Sequence, residues 1–209
     1  RLDRDVLAGL TESTEVVSVV AGTNGKTTTN NLIADCLATS GRPLHCNREG
    51  NNLESGVVTS MLVKPVRVGA AAESDVPIAT FECDEMYTRF VVPKARPRFF
   101  LLLNLFRDQL DRFGEIDHIQ DGVAGALASS PETAFVYNGD DPLCAGIAER
   151  IGNPKVAFGI SSDLGLAADR ISESRFCQSC GAQLDYDYIH YGQLGSYRCP
   201  QCGWKRPDL

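Results

Sequence analysis

The 209-residue chain is short of positive charge: 20 Lys and Arg stand against 27 Asp and Glu, a formal net charge of −7. With a pI near 5.0, it lacks the basic face that a dominant nucleic-acid footprint needs. No apolar run approaches the ~18 residues of a membrane span. The opening RLDRDVLAGL is not a secretory signal. An initiator Met is also missing, so the chain is expected to be a segment of a longer protein, with an equally arbitrary end at Leu209. Only three histidines occur, His45, His118 and His190. None has a matching acid and nucleophile, and they read as surface or local hydrogen-bonding groups. Internal repeats and low-complexity tracts are absent.

What is present is a soluble globular composition, 43% hydrophobic and 22% charged, long enough for one domain plus a small appendage. Short apolar runs alternate with longer amphipathic ones from Glu15 to about Ile160. Strands are expected at 16–20, 77–83, 98–104, 134–138 and 155–159. Helices are expected at 26–39, 55–62, 116–128 and 142–150, and a loop or hairpin at 64–76. Runs such as FFLLLN and IATFEC are almost continuously apolar, as in strands covered by helices on both faces. The expected fold is α/β, a mostly parallel P-loop-type sheet flanked by helices. The pattern changes after Ile160, and a boundary near Ile171 divides an α/β unit (1–170) from a small Cys-rich module (171–209).

One stretch carries chemistry at the end of the first strand: Gly22-Thr23-Asn24-Gly25-Lys26-Thr27. The glycines let backbone N–H groups turn towards an anion, Lys26 supplies a point charge, and the Thr27 hydroxyl can ligate Mg²⁺. The N-terminus of the next helix adds its partial positive charge. The general phosphate-loop signature wants Gly five positions before Gly25, where this chain has Val20. The bland alternative is a glycine-bearing turn with an incidental lysine. A second candidate is Glu82 in Phe81-Glu82-Cys83-Asp84-Glu85, at the carboxyl end of a strand, where α/β sheets bind ligands. Its plain alternative is an acidic helix cap.

The shorter loop Gly-Thr-Asn-Gly-Lys-Thr-Thr resembles the central domain of the Mur ligases and folylpolyglutamate synthetases. These ATP-dependent enzymes activate a carboxylate as an acyl phosphate and then form an amide. The resemblance implies that Gly22, Thr23, Asn24, Gly25, Lys26, Thr27 and Thr28 cradle ATP. Lys26 and Glu82 would be catalytic, with Thr27 and Glu82 holding Mg²⁺. Asn104, opening the run NLFRDQLDRFG, matches a family asparagine before an Asp-His-x-Asp motif. Here the family's histidine is Gln109, and its carbamylated lysine falls at Val123. The expectation is one magnesium retained and the second lost or rebuilt. Asn138 and Asp141 in VYNGDDP resemble a late segment of the same domain; they either approach nucleotide or cap the turn and helix. The family's adenine-contacting helix has no counterpart before Leu209, so the site is expected to be incomplete.

Four of the eight cysteines, Cys36, Cys46, Cys83 and Cys144, are scattered like buried free thiols. Cys177, Cys180, Cys199 and Cys202 instead form two CxxCG knuckles separated by 18 residues, with Tyr186, Tyr188, Tyr191 and Tyr197 between or beside them. Paired thiolates of this spacing bite one tetrahedral Zn²⁺ and build a zinc ribbon around a hairpin. A redox dithiol, structural disulfides and a nucleic-acid role are disfavoured. Zinc binding worth ~10–16 kcal/mol could fold so small a module, and the site, full with four cysteines, is structural. Clustered CxxC pairs beside a phosphate loop suit a reducing, cytoplasmic setting. The ribbon, the RDQLDR run and YNGDDP together resemble one branch of the Mur family, the ATP-using subunits of lipid II isoglutaminyl synthase. That resemblance implies activation of the D-glutamate α-carboxylate in the peptidoglycan stem peptide. It also implies a partner, a GatD-like glutaminase that supplies ammonia, since no glutamine-hydrolysing set stands out here. The alternatives are a ligase adding an amino acid to another carboxylate, and a non-ligase P-loop ATPase with a zinc-ribbon binding module.

Overall fold

The computed structural model describes residues 5–67, 74–106, 115–165 and 176–209. Six strands make one sheet: Glu15–Ala21 (β1), Leu44–Cys46 (β2), Ile78–Glu82 (β3), Phe99–Leu102 (β4), Ala134–Asn138 (β5) and Lys155–Phe158 (β6). Every pairing is parallel, in the order β2-β3-β1-β4-β5-β6. The helices are Val6–Thr11 (α1), Lys26–Ala38 (α2), Glu54–Leu62 (α3), Thr88–Ala95 (α4), Glu115–Ala128 (α5) and Pro142–Arg150 (α6). A 3₁₀ turn at Glu85–Tyr87 precedes α4. A mostly parallel sheet flanked by helices is the fold expected.

The strand chemistry explains the layering. All five residues of β3 are buried, so the strand is covered on both faces and shows no alternation. Phe81, Phe100, Phe135 and Leu102 are among the largest fully buried side chains, and Phe100 stacks on Phe135 at 6.0 Å. A polar seam crosses this apolar centre. Ser18 and Thr80 hydroxyls lie 2.6 Å apart, Thr80 donates to Asn30 Oδ1 at 2.8 Å, and Asn30 reaches Asn47 Oδ1 at 3.3 Å. Each member has a partner, so the seam fixes how α2 sits on the sheet instead of weakening the core.

Three elements differ from expectation. Strand β2 is only three residues long, too short for a periodic signal. Helix α4 contains Pro93, and α1, anchored by the fully buried Leu7, also went unanticipated. Within the expected loop, Val66 forms an antiparallel bridge to Leu44; residues 68–73 lie outside the described residues, as does the boundary near Ile171. Cys36 is exposed rather than buried, because it falls on the outer face of α2, whereas Cys83 and Cys144 are buried as expected. His45 and His190 are buried and only His118 is exposed.

The Cys-rich module forms an antiparallel hairpin of Asp185–Tyr191 (β7) and Leu194–Arg198 (β8). It is seated on the α/β unit. Cys177, Leu184, Tyr197 and Cys199 belong to the same buried cluster as Phe135, Leu143 and Ile147. The Tyr197 hydroxyl donates to Gly139 O at 3.1 Å, and Arg206 pairs with Asp140 at 2.6 Å.

Candidate nucleotide site and cysteine centre

The strand register brings the candidate residues to one edge of the sheet. Val20 lies opposite Glu82 and Ala21 opposite Leu102, so the loop that leaves β1 emerges between the ends of β3 and β4. Gly22 has φ +136°, and a Cβ there would lie 3.0 Å from Leu103 Cβ and 3.1 Å from the Asn104 backbone. Gly25, at φ +85°, stands directly before α2. Only glycine takes both positions without strain. Helix α2 has no side-chain cap, which leaves its first N–H groups open to an anion. Thr27 and Thr28 are exposed in that first turn.

The Asn104 side chain clamps this loop. Its Oδ1 accepts the Asn24 N–H at 2.9 Å and its Nδ2 donates to Asn24 O at 3.1 Å. The Thr23 N–H bonds Asn104 O at 3.0 Å, and the Thr23 hydroxyl accepts the Phe106 N–H at 2.9 Å. The Lys26 ammonium folds back onto its own loop, donating to Gly22 O at 2.6 Å and to Glu85 Oε2 at 3.4 Å. Glu85 is buried and was missed from sequence. The only signal for it was the acidic cluster after Glu82.

Glu82 is 1% exposed, and its Oε2 is a buried oxygen without a hydrogen-bond partner among the described residues. Asn47 holds its backbone from both sides, accepting the Glu82 N–H at 2.9 Å and donating to Glu82 O at 2.8 Å. A buried, unpartnered carboxylate oxygen beside a phosphate cradle suits a cation, which would remove its desolvation cost. Val123 is fully buried in the apolar core. Residues 107–114, with Gln109, lie outside the described residues.

Asn138 and Asp141 are engaged in local structure. Asn138 donates to Leu103 O at 3.0 Å and accepts the Asp140 N–H at 3.0 Å. Asp141 caps α6 through the Leu143 N–H at 3.0 Å and also accepts the Leu105 N–H at 2.8 Å. Of the two alternatives open in the sequence, these bonds describe capping. Both residues hold the segment that carries Asn104. Burial pushes the Asp141 carboxyl up to about 6, against the pull of the Leu105 and Leu143 N–H groups.

The four tail cysteines converge. Their sulfurs all lie within 4.8 Å of one another, with Cys177 to Cys202 and Cys180 to Cys199 at 3.5 Å. Tetrahedral Zn²⁺ with Zn–S bonds of about 2.3 Å wants sulfurs roughly 3.8 Å apart, so the set fits zinc. The two knuckles are built alike. Ser179 N–H points at Cys177 Sγ at 3.4 Å and Cys202 N–H at Cys199 Sγ at 3.5 Å. The Cys202 N–H leads the groups that hold the Cys199 thiol down to about 6, whereas burial pushes the Cys177 thiol up and the Cys180 thiol is also raised.

A parallel sheet with a glycine cradle between two strand ends and a buried carboxylate beside it make a phosphate-loop α/β domain, and a four-cysteine ribbon is seated on it. The sequence model of the Mur ligase middle domain matches residues 20–198, and the chain belongs to the Mur ligase family. Curated relatives include the lipid II isoglutaminyl synthase (glutamine-hydrolyzing) subunit MurT of Staphylococcus aureus strain N315, 35% identical over 207 residues, 99% of this chain. The same-named subunit of Streptococcus pneumoniae strain R6 is 35% identical over 211 residues, 100% of this chain. The chain spans 45% of the length of each. MurF of Acinetobacter baumannii shares the fold at a TM-score of 0.60 and 21% identity, over 76% of this chain and 34% of MurF. MurF of Thermotoga maritima in complex with ADP does so at 0.54 and 22%, over 93% and 40%. Among the described residues, no helix is long and apolar enough to cross a membrane.

Proposed function

We propose that this chain is the ATP-binding part of an amide ligase that activates the D-glutamate α-carboxylate of the peptidoglycan stem peptide, on lipid II, for amidation. The observation that carries the ATP site is the buried Glu82 Oε2, without a partner among the described residues, at a strand end beside the Gly22–Thr28 loop. The two MurT relatives support the choice of substrate and of partner, a GatD-like glutaminase delivering ammonia. Residues 1–170 would form the nucleotide unit and 171–209 a zinc module, in a protein that works in the cytoplasm.

When bound, ATP with its Mg²⁺ supplies the transferable phosphoryl group and a divalent counter-charge. The Thr27 hydroxyl and Glu82 carboxylate would hold the metal. Backbone N–H groups from Gly22 to Thr28 would bind phosphate oxygens, and the Lys26 ammonium would leave Gly22 O and Glu85 to neutralise the transferring group. Asn104, Asn138 and Asp141 would keep the cradle in shape. Held this way, the γ-phosphoryl group would lie open to a carboxylate oxygen of the substrate, with ADP as the leaving group. Ammonia would then replace phosphate at the acyl carbon, its surplus proton leaving with the phosphate, to give the amide. Ammonia needs less help in losing a proton than a zwitterionic amino acid, which suits a chain with Val123 in place of the family's second-metal lysine.

The test is phosphate release by the full-length protein with its glutaminase. Turnover should require lipid II together with glutamine or ammonium, and Lys26→Ala should lower it by roughly a hundredfold. Equal use of amino acids as acceptors would overturn the reading in favour of an amino-acid-adding ligase.

A further inference from the structure

The ribbon hairpin ends against the segment that clamps the phosphate loop. Gln193 at its tip is fully buried, and its Nε2 donates to Leu105 O at 2.7 Å and approaches Asp141 Oδ1 at 3.5 Å. Tyr191 meets the Phe106 ring edge-on at 5.6 Å. Gly192 lies so close under Phe106 that a Cβ would come within 2.7 Å of that ring. Leu105 and Phe106 directly follow Asn104, the loop clamp, and the Phe106 N–H bonds the Thr23 hydroxyl inside the loop.

We infer that Gln193 is a positioning residue for nucleotide binding: the ribbon hairpin braces Leu105 and Phe106, and through Asn104 and Thr23 sets the shape of the phosphate loop. This rests on the nucleotide-site reading above. The chain of contacts is continuous. Leu105 is held from the α/β side by its N–H to Asp141 and from the ribbon side by its carbonyl to Gln193. Losing the ribbon-side bond strands a buried carbonyl, which the segment can resolve only by turning that peptide towards solvent. Such a turn moves the neighbouring Asn104 backbone, whose carbonyl holds the Thr23 N–H. The hairpin tip thus reaches the phosphate loop through Leu105, Phe106 and Asn104.

The test is Mg²⁺–ADP affinity by calorimetry on the zinc-loaded full-length protein. Gln193→Met keeps the volume and removes the donor. It should weaken ADP binding about fivefold to tenfold, while one zinc per chain is retained. Tyr191→Ala, at an exposed position where folding is not at risk, should weaken it in the same direction by less. Tyr188→Phe removes a different ribbon-to-core bond, to Ile160 O at 3.0 Å, beyond the far edge strand β6, and should leave ADP affinity unchanged. Wild-type affinity in both Gln193→Met and Tyr191→Ala would overturn the inference, as would an equal loss in Tyr188→Phe. Failure of the unaltered protein to bind ADP would instead overturn the nucleotide-site reading on which it rests.

Discussion

Two buried carboxylates, Glu82 and Asp141, show how the same side chain takes opposite tasks. Asp141 has each oxygen bonded, to the Leu143 and Leu105 N–H groups, and acts as a rivet. Glu82 keeps one oxygen unpartnered among the described residues, a cost that a ligand can remove. Sequence places Glu82 at a strand end and Asp141 in the turn after one, and it cannot tell which keeps a free oxygen, because partner count is a property of packing. The rivet has a measurable signature. Its carboxyl titrates near 6 in the folded chain against about 3.9 in an unfolded one. Between those values the folded state holds more protons, so stability contributed by this group falls as pH rises through that window. Below pH 4 both states are protonated and the cost is absent; above 6 the ionised, desolvated group costs about 3 kcal/mol. Urea titrations of the wild type and Asp141→Asn at pH 4, 5, 6 and 7 should therefore show a stability difference that shifts against the wild type with rising pH. A difference independent of pH would mean that Asp141 titrates normally.

Elements were legible where one residue type dictates local geometry. The phosphate loop announces itself through Gly22 and Gly25, whose φ values of +136° and +85° other residues avoid, and α6 through the Asp-Pro start that caps it. Strand β2 and helix α4 were not legible. The first has three residues, and its pairing is decided by β3 beside it. The second hides behind VVP, where Pro93 interrupts a helical pattern that tertiary packing of Val91 and Val92 restores. The knuckles were legible from spacing alone, and they come with an internal probe. Trp204 is the single tryptophan; its carbonyl accepts the Cys199 N–H at 2.6 Å and its ring lies 5.2 Å from Tyr197. Stripping zinc with a strong chelator should red-shift Trp204 emission as the ribbon opens, and added Zn²⁺ should reverse it. Unchanged emission in protein shown to be metal-free would mean that the hairpin folds without the ion.

At the scale of the molecule, the ribbon is less separable than its sequence suggests. A composition change near Ile171 predicts an appendage, yet Cys177, Leu184, Tyr197 and Cys199 are buried in the core of the α/β unit. Gln178 from the first knuckle shares the Gln120 amide with Leu143 O, joining the ribbon to both α5 and α6. Such contacts are long-range, and no local pattern carries them; this is also why the brace on Leu105 was invisible. Burying Leu184 and Tyr197 contributes roughly 1.5–3 kcal/mol each, a large share of a domain's net 5–15 kcal/mol. The two units should therefore unfold together. Calorimetry of the zinc-loaded chain should show one transition, and Cys180→Ser, which removes one exposed ligand and leaves the core residues in place, should lower that transition as a whole. A ribbon melting separately, with the α/β transition unmoved, would show that the shared core adds nothing to stability. The nucleotide loop would then have to keep its shape without the hairpin, and zinc-free protein would bind ADP as tightly as the loaded form.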